Sequence, residues 1–242
     1  VADGRYDYVE TGSLISLKAN VEGIVLPSEE EHLEMFPMDF EEFLRALGND
    51  TAYGFMRSAF EAGRPVGQAL HRKFMNLFRQ YILVGGMPAA VQAYVERHDF
   101  AEADRVKRGI LTLYRNDIAK YAGSEKTRAK RFFDAIPAQL SKPHKRYVLS
   151  DLEQSGNMQK YGDSAQWLQD AGMALFCYNT HSLSLPFEQY ENRNMFKVYL
   201  LDTGLLCAMW NDKIQWQVMQ GDLSINEGAL TENFVALELT KH

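Results

Sequence analysis

KTRAKRFFDAIPAQL at residues 126–140, QKYGDSAQWLQDA at 159–171, ALFCYN at 174–179 and FKVYLL at 196–201 decide how this chain is read. The first two carry apolar residues at three- and four-residue spacing, as amphipathic helices do, and the last two are β-branched and aromatic runs of strand length. A short apolar segment near Val148–Leu152 lies between the helices. The predicted order is therefore helix, short segment, helix and a two-stranded hairpin.

With the short segment counted as the middle helix, the order helix, helix, helix and two-stranded wing is that of a winged helix-turn-helix. Upstream, residues 51–97 hold Tyr53, Phe55, Met56 and Phe60, then Leu70, Phe74, Leu77, Phe78 and Tyr81 at helical spacing. Gly63-Arg64-Pro65 and Gly85-Gly86-Met87-Pro88 break this region into helices, with Pro88 suited to start the next one. Residues 100–121 form a further predicted helix through Val106, Ile110, Leu113, Tyr114 and Ile118. Asp39 is placed to cap a helix with Glu42 as its reciprocal partner, and Gly48 to end it. Before it, His32–Phe36 alternates as a strand, and so does Tyr6–Glu10, followed by Gly12 and Ser13.

The chain has 242 residues, of which 46% are hydrophobic, enough to bury a core in one or two units. No run approaches the ~18 apolar residues of a membrane span, and no apolar signal core opens the chain, so the expectation is no membrane partner and a cytoplasmic location. Cys177 and Cys207 stand alone in apolar runs, without metal-ligand spacing, and are expected to be buried thiols. The six histidines form no i, i+4 pair and no acid–His–Ser order.

Charge is unevenly placed. Residues 1–47 hold eleven acids against Arg5, Lys18 and Arg45, whereas residues 126–146 hold Lys126, Arg128, Lys130, Arg131, Lys142, Lys145 and Arg146 against Asp134 alone. Such clustered cations are what phosphate contacts need, which makes these seven the nucleic-acid-binding candidates. Asp163 and Asp170 on the presumed recognition helix oppose a DNA backbone, so a protein partner stands beside DNA as an alternative.

Six stretches together resemble the prokaryotic AAA-type ATPases whose C-terminal half is a domain of unknown function. They are ETGSL (10–14), MFPMDFEEF (35–43), VGGMP (84–88), YRNDIAKY (114–121), FKVYLLDTGLL (196–206) and GALTENFVALEL (228–239), in the family order. The resemblance implies a mainly α (α+β) fold divided into an AAA P-loop core remnant at 1–48, a helical lid at 49–121 and a winged-helix-like module at 122–215. It implies the start of a truncated nuclease-like domain at 216–242. Thr11 and Ser13 fall near the family's nucleotide-sensing position, with a turn and helix cap as the competing reading. Glu232 falls where the family's nuclease-like domain holds a metal, although a lone glutamate assembles no hydrolytic site and reads here, with Asn233, as a solvated helix face.

No G-x-x-x-x-G-K-[ST] string occurs anywhere in the sequence, so no phosphate-cradling loop is encoded in it. The expectation is a piece of a larger ATPase, with ATP and magnesium as cofactors of the parent protein and none for this chain. Nucleotide would bind only with the N-terminal half. Two alternatives remain: a winged-helix DNA-binding module and a non-enzymatic protein-interaction scaffold. Leu237 and Leu239 are expected to lack a later element to pack against. Asp202 is expected to serve as a turn or cap residue.

Overall fold

A computed structural model describes residues 33–210, 213–221 and 225–241. Thr11, Ser13, the Tyr6–Glu10 strand and the acidic run ending at Glu31 lie outside the described residues.

The described chain is mainly helical with one small antiparallel sheet. The order is α1 (Phe40–Ala46), α2 (Asp50–Glu61), α3 (Gln68–Val84), α4 (Pro88–Arg97), α5 (Phe100–Tyr121), α6 (Lys126–Leu140) and α7 (Met158–Asp170). Then come β1 (Ala174–Thr180), β2 (Glu191–Leu200), α8 (Thr203–Met209), α9 (Lys213–Met219) and α10 (Ile225–Lys241).

Helix starts follow local chemistry. Asp39 accepts from the Glu42 N–H at 2.8 Å while the Glu42 carboxylate accepts from the Asp39 N–H at 2.8 Å, a reciprocal capping box. Pro88 opens α4, where its missing N–H costs nothing. Asp99, Asn157 and Asp202 cap α5, α7 and α8 through their side chains.

The expected strand at His32–Phe36 is corrected over its described part. Leu33–Phe36 is irregular, with Leu33 and Met35 exposed, because no neighbouring strand among the described residues offers it a ladder. One ladder-like bond follows, from the Met38 N–H to the Gly86 carbonyl at 2.8 Å.

The hairpin pairs β1 with β2 from Ala174↔Leu200 to Tyr178↔Phe196, and then a register shift brings Asn179 opposite Asn192. The Tyr147 N–H donates to the Phe196 carbonyl at 2.9 Å, so the chain between α6 and α7 touches the outer side of β2. Against this hairpin lies an aromatic cluster. The Phe132 ring stacks on Tyr147 with centroids 4.2 Å apart, and Phe176 lies 5.7 Å from Phe132. The Tyr147 hydroxyl donates to the Phe132 carbonyl at 2.6 Å, which satisfies a buried phenol whose ionisation burial opposes.

The largest core cluster is continuous across α3, α5, α6, α7, the β1–β2 hairpin and α8, joining Ile82, Leu111, Ile118, Phe133, Leu168 and Leu206. Two smaller clusters fasten α1 to α3 and α4 through Phe43, Leu44, Tyr81 and Tyr94. No helix of the described residues is long and apolar enough to cross a membrane.

Candidate functional site

The last turn of α3 leaves carbonyls without intrahelical partners, and other elements fill two of them. The cap N–H of Gly85 closes the helix on the Tyr81 carbonyl at 2.7 Å, and beyond it the Ile82 carbonyl accepts from the Cys207 thiol at 3.5 Å. Leu83 accepts from the Lys107 ammonium at 2.6 Å. Lys107 is 2% exposed and also lies 3.5 Å from Asp104, so a cation sits where the α3 dipole favours one. Burial pushes the Cys207 thiol up to about 12, so it acts as a packed thiol, as expected. Cys177 is a correction: it is exposed, because Phe176 and Tyr178, its neighbours on β1, take the core-facing side.

Beyond that turn, Asp202 is 1% exposed. One carboxyl oxygen accepts from the Gly86 N–H at 2.5 Å, and the other accepts from the Leu205 N–H at 2.7 Å. It therefore caps α8 and at the same moment binds the loop between α3 and α4. Burial raises its pKa, opposed by the two N–H groups and by the charges of Lys107 and Lys241. The approach is close enough to need glycine. A Cβ on Gly85, whose φ is +80°, would meet the Asp202 carboxyl, and one on Gly86 would fall well inside 3.0 Å of the Met38 backbone. The Met38 carbonyl also accepts from the Tyr81 hydroxyl at 2.9 Å and from Lys241 at 3.4 Å.

Helix α10 completes the junction. Asn233, fully buried, accepts from the Leu200 N–H at 2.9 Å and donates to the Leu200 carbonyl at 3.0 Å, continuing the ladder of β2 with a side chain. Phe234 packs edge-on against Phe78, centroids 4.9 Å apart. The reading of Glu232 and Asn233 as a solvated face is corrected; Leu237, expected to lack a later element to pack against, is buried at 2% exposure. Leu239 is exposed.

Glu232 accepts from Lys197 and, at 2.8 Å, from the Tyr199 hydroxyl, with Lys145 3.8 Å away. A divalent cation here would face two ammonium groups, so this neighbourhood does not fit a metal. Among the described residues no group of three His, Cys, Asp or Glu side chains could hold one. Partial burial would raise the Glu232 carboxyl, but the bonds from Lys197 and Tyr199 and the charge of Lys145 prevail and hold it below the usual glutamate range. A depressed carboxyl contributes stability that is present above the unfolded value, about pH 4.3, and is lost as pH falls through the lower folded value. Urea midpoints measured down that acid limb are expected to fall less steeply for Glu232→Gln than for the wild type.

The seven basic candidates separate into two groups. Arg128 pairs with Glu125 at 2.9 Å, Arg131 with Glu153 at 2.8 Å, and Lys142 with Asp151. Lys145 is buried beside Glu232 in a left-handed backbone conformation. Lys126, Lys130 and Arg146 stay exposed. On α7, Lys160 donates to Ser155 at 2.9 Å and lies 3.7 Å from Glu153. Four of the seven cations are thus committed within the fold. Lys107 was not singled out in the sequence, although it occupies the i+4 position between Ala103 and Leu111 on the buried stripe of α5.

The family described as Domain of unknown function (DUF8612) matches residues 75–216, more than half of the chain and the span from α3 into α9. No curated protein and no solved structure matches.

Proposed function

The chain belongs to the family described as Domain of unknown function (DUF8612), and from that premise we propose that it is the helical lid and winged-helix-like module of a cytoplasmic AAA-type ATPase. Its work is to pass a nucleotide-driven displacement from the lid to the module. The phosphate-binding loop and magnesium belong to a core segment, because the sequence holds no loop of that pattern.

One observation carries the reading. Four of the six stretches that resemble the ATPases, distant in sequence, meet around one buried carboxylate. MFPMDFEEF contributes Met38 against Gly86 of VGGMP, which donates to Asp202 of FKVYLLDTGLL. TENFVALEL grips Leu200 of the same strand through Asn233. A junction of this kind makes lid and module one mechanical body, since packed interiors deform little and pass strain on.

The experiment is nucleotide binding and turnover. The 242-residue chain alone is expected to give no heat on titration with Mg-ATP and no phosphate release. The gene product in which it follows a phosphate-loop core is expected to hydrolyse Mg-ATP. There, Asp202→Asn lowers turnover by about tenfold or more with ADP affinity held within about twofold, because it loosens transmission and not the nucleotide site. Failure of that gene product to bind nucleotide sinks the assignment.

A further inference from the structure

A groove of about 420 Å³ lies between the C-terminal part of α5 and the first half of α6, lined by Ala119, Lys126, Thr127, Lys130, Arg131 and Asp134. Its cations are not equivalent. Arg131 is held by Glu153, and Asp134, the groove's acid, is held by Arg115 at 2.8 Å. Lys126 and Lys130 are exposed one helical turn apart, with no carboxylate of the described residues in ion-pair contact. Like charges at this spacing repel on a helix, a cost that an anion bridging them reverses.

We propose that this groove docks an acidic polypeptide segment of a protein partner, two carboxylates of which pair with Lys126 and Lys130 beside the Thr127 hydroxyl. The reading is independent of the ATPase assignment. A protein and not a nucleic acid fits because the surrounding surface is a mosaic. Glu125, Asp134, Asp151 and Glu153 each sit beside the cation they neutralise, and α7 adds Asp163. A nucleic-acid strand carries charge continuously and needs an unbroken basic track, which these acids interrupt. A peptide needs only two carboxylates at matching separation, and the rim acids suppress partners with dense charge. The floor by Ala119 and the lysine stems offers apolar contact to the peptide backbone between them.

The test is fluorescence anisotropy at low salt with three labelled probes: a peptide of alternating Glu and Gly, the same peptide with Gln for Glu, and a single-stranded oligonucleotide of matched charge. The Glu peptide is expected to bind, the Gln peptide not, and the oligonucleotide more weakly than the Glu peptide. Lys126→Glu with Lys130→Glu should weaken the Glu peptide by about tenfold or more. The unfolding temperature should stay unchanged, since both side chains are exposed. Tighter binding of the oligonucleotide through the same lysines, no binding of either anion, or a peptide affinity indifferent to the charge reversal would each overturn the proposal.

Discussion

Asp202→Ala is expected to destabilise the chain by about 3–5 kcal/mol, read as a fall in the urea midpoint with an unchanged slope. The substitution leaves the buried N–H groups of Gly86 and Leu205 without acceptors, each at about 1–3 kcal/mol, and removes the cap of α8. Asp202→Asn keeps one acceptor and turns an amide NH₂ toward the other N–H, so about half of that loss is expected. Both variants also differ from the wild type in their pH dependence. Because burial raises the Asp202 pKa, its proton contributes stability that is full below about pH 3.9, the unfolded value, and declines as pH rises through the folded value. Neither variant has that slope, which is opposite in sign to the one Glu232 gives.

Gly204→Ala is expected to cost at least about 3 kcal/mol, through crowding and not through lost bonds. Its new Cβ would fall well inside 3.0 Å of the Val84 carbonyl and the Gly85 nitrogen, which are backbone atoms and cannot rotate away. Neither side can retreat, because Asp202 pins the start of α8 to Gly86 and Lys107 pins the end of α3. The control is Gly109→Ala, where a Cβ on α5 meets nothing within 4 Å. Helix propensity alone acts there, and a gain of about 0.5–1 kcal/mol is expected. Thermal unfolding of the two variants side by side separates crowding from propensity.

These two positions also show where the sequence was legible. Helical spacing placed α5 at residues 100–121 and α6 at 126–140, and the apolar runs placed the two strands of the hairpin, because an amphipathic period and a strand-length run are local signals. The Asp39 box and the Asp202 cap were legible for the same reason. Long-range partners were not. Nothing local distinguishes Asn233 from a surface asparagine, since its partner is the backbone of Leu200, 33 residues away. Glu232 likewise read as solvated until Lys197, Tyr199 and Lys145 surrounded it. Over Leu33–Phe36 the expected strand does not form, because alternation alone does not supply a neighbour to pair with and none stands among the described residues. The basic run at 126–146 was visible as composition, yet its availability depended on Glu125, Asp151, Glu153 and Glu232, which lie outside that run.

Native-state hydrogen exchange at the Gly86 and Leu205 amides tests most directly whether the loop after α3 and the start of α8 are one body joined at Asp202. Both donate to the same buried carboxylate, so they are expected to exchange together, slowly and with the free energy of global unfolding. Gly86 exchanging by a separate opening, several kcal/mol cheaper than that of Leu205, would contradict this, because the loop between α3 and α4 would then move free of α8.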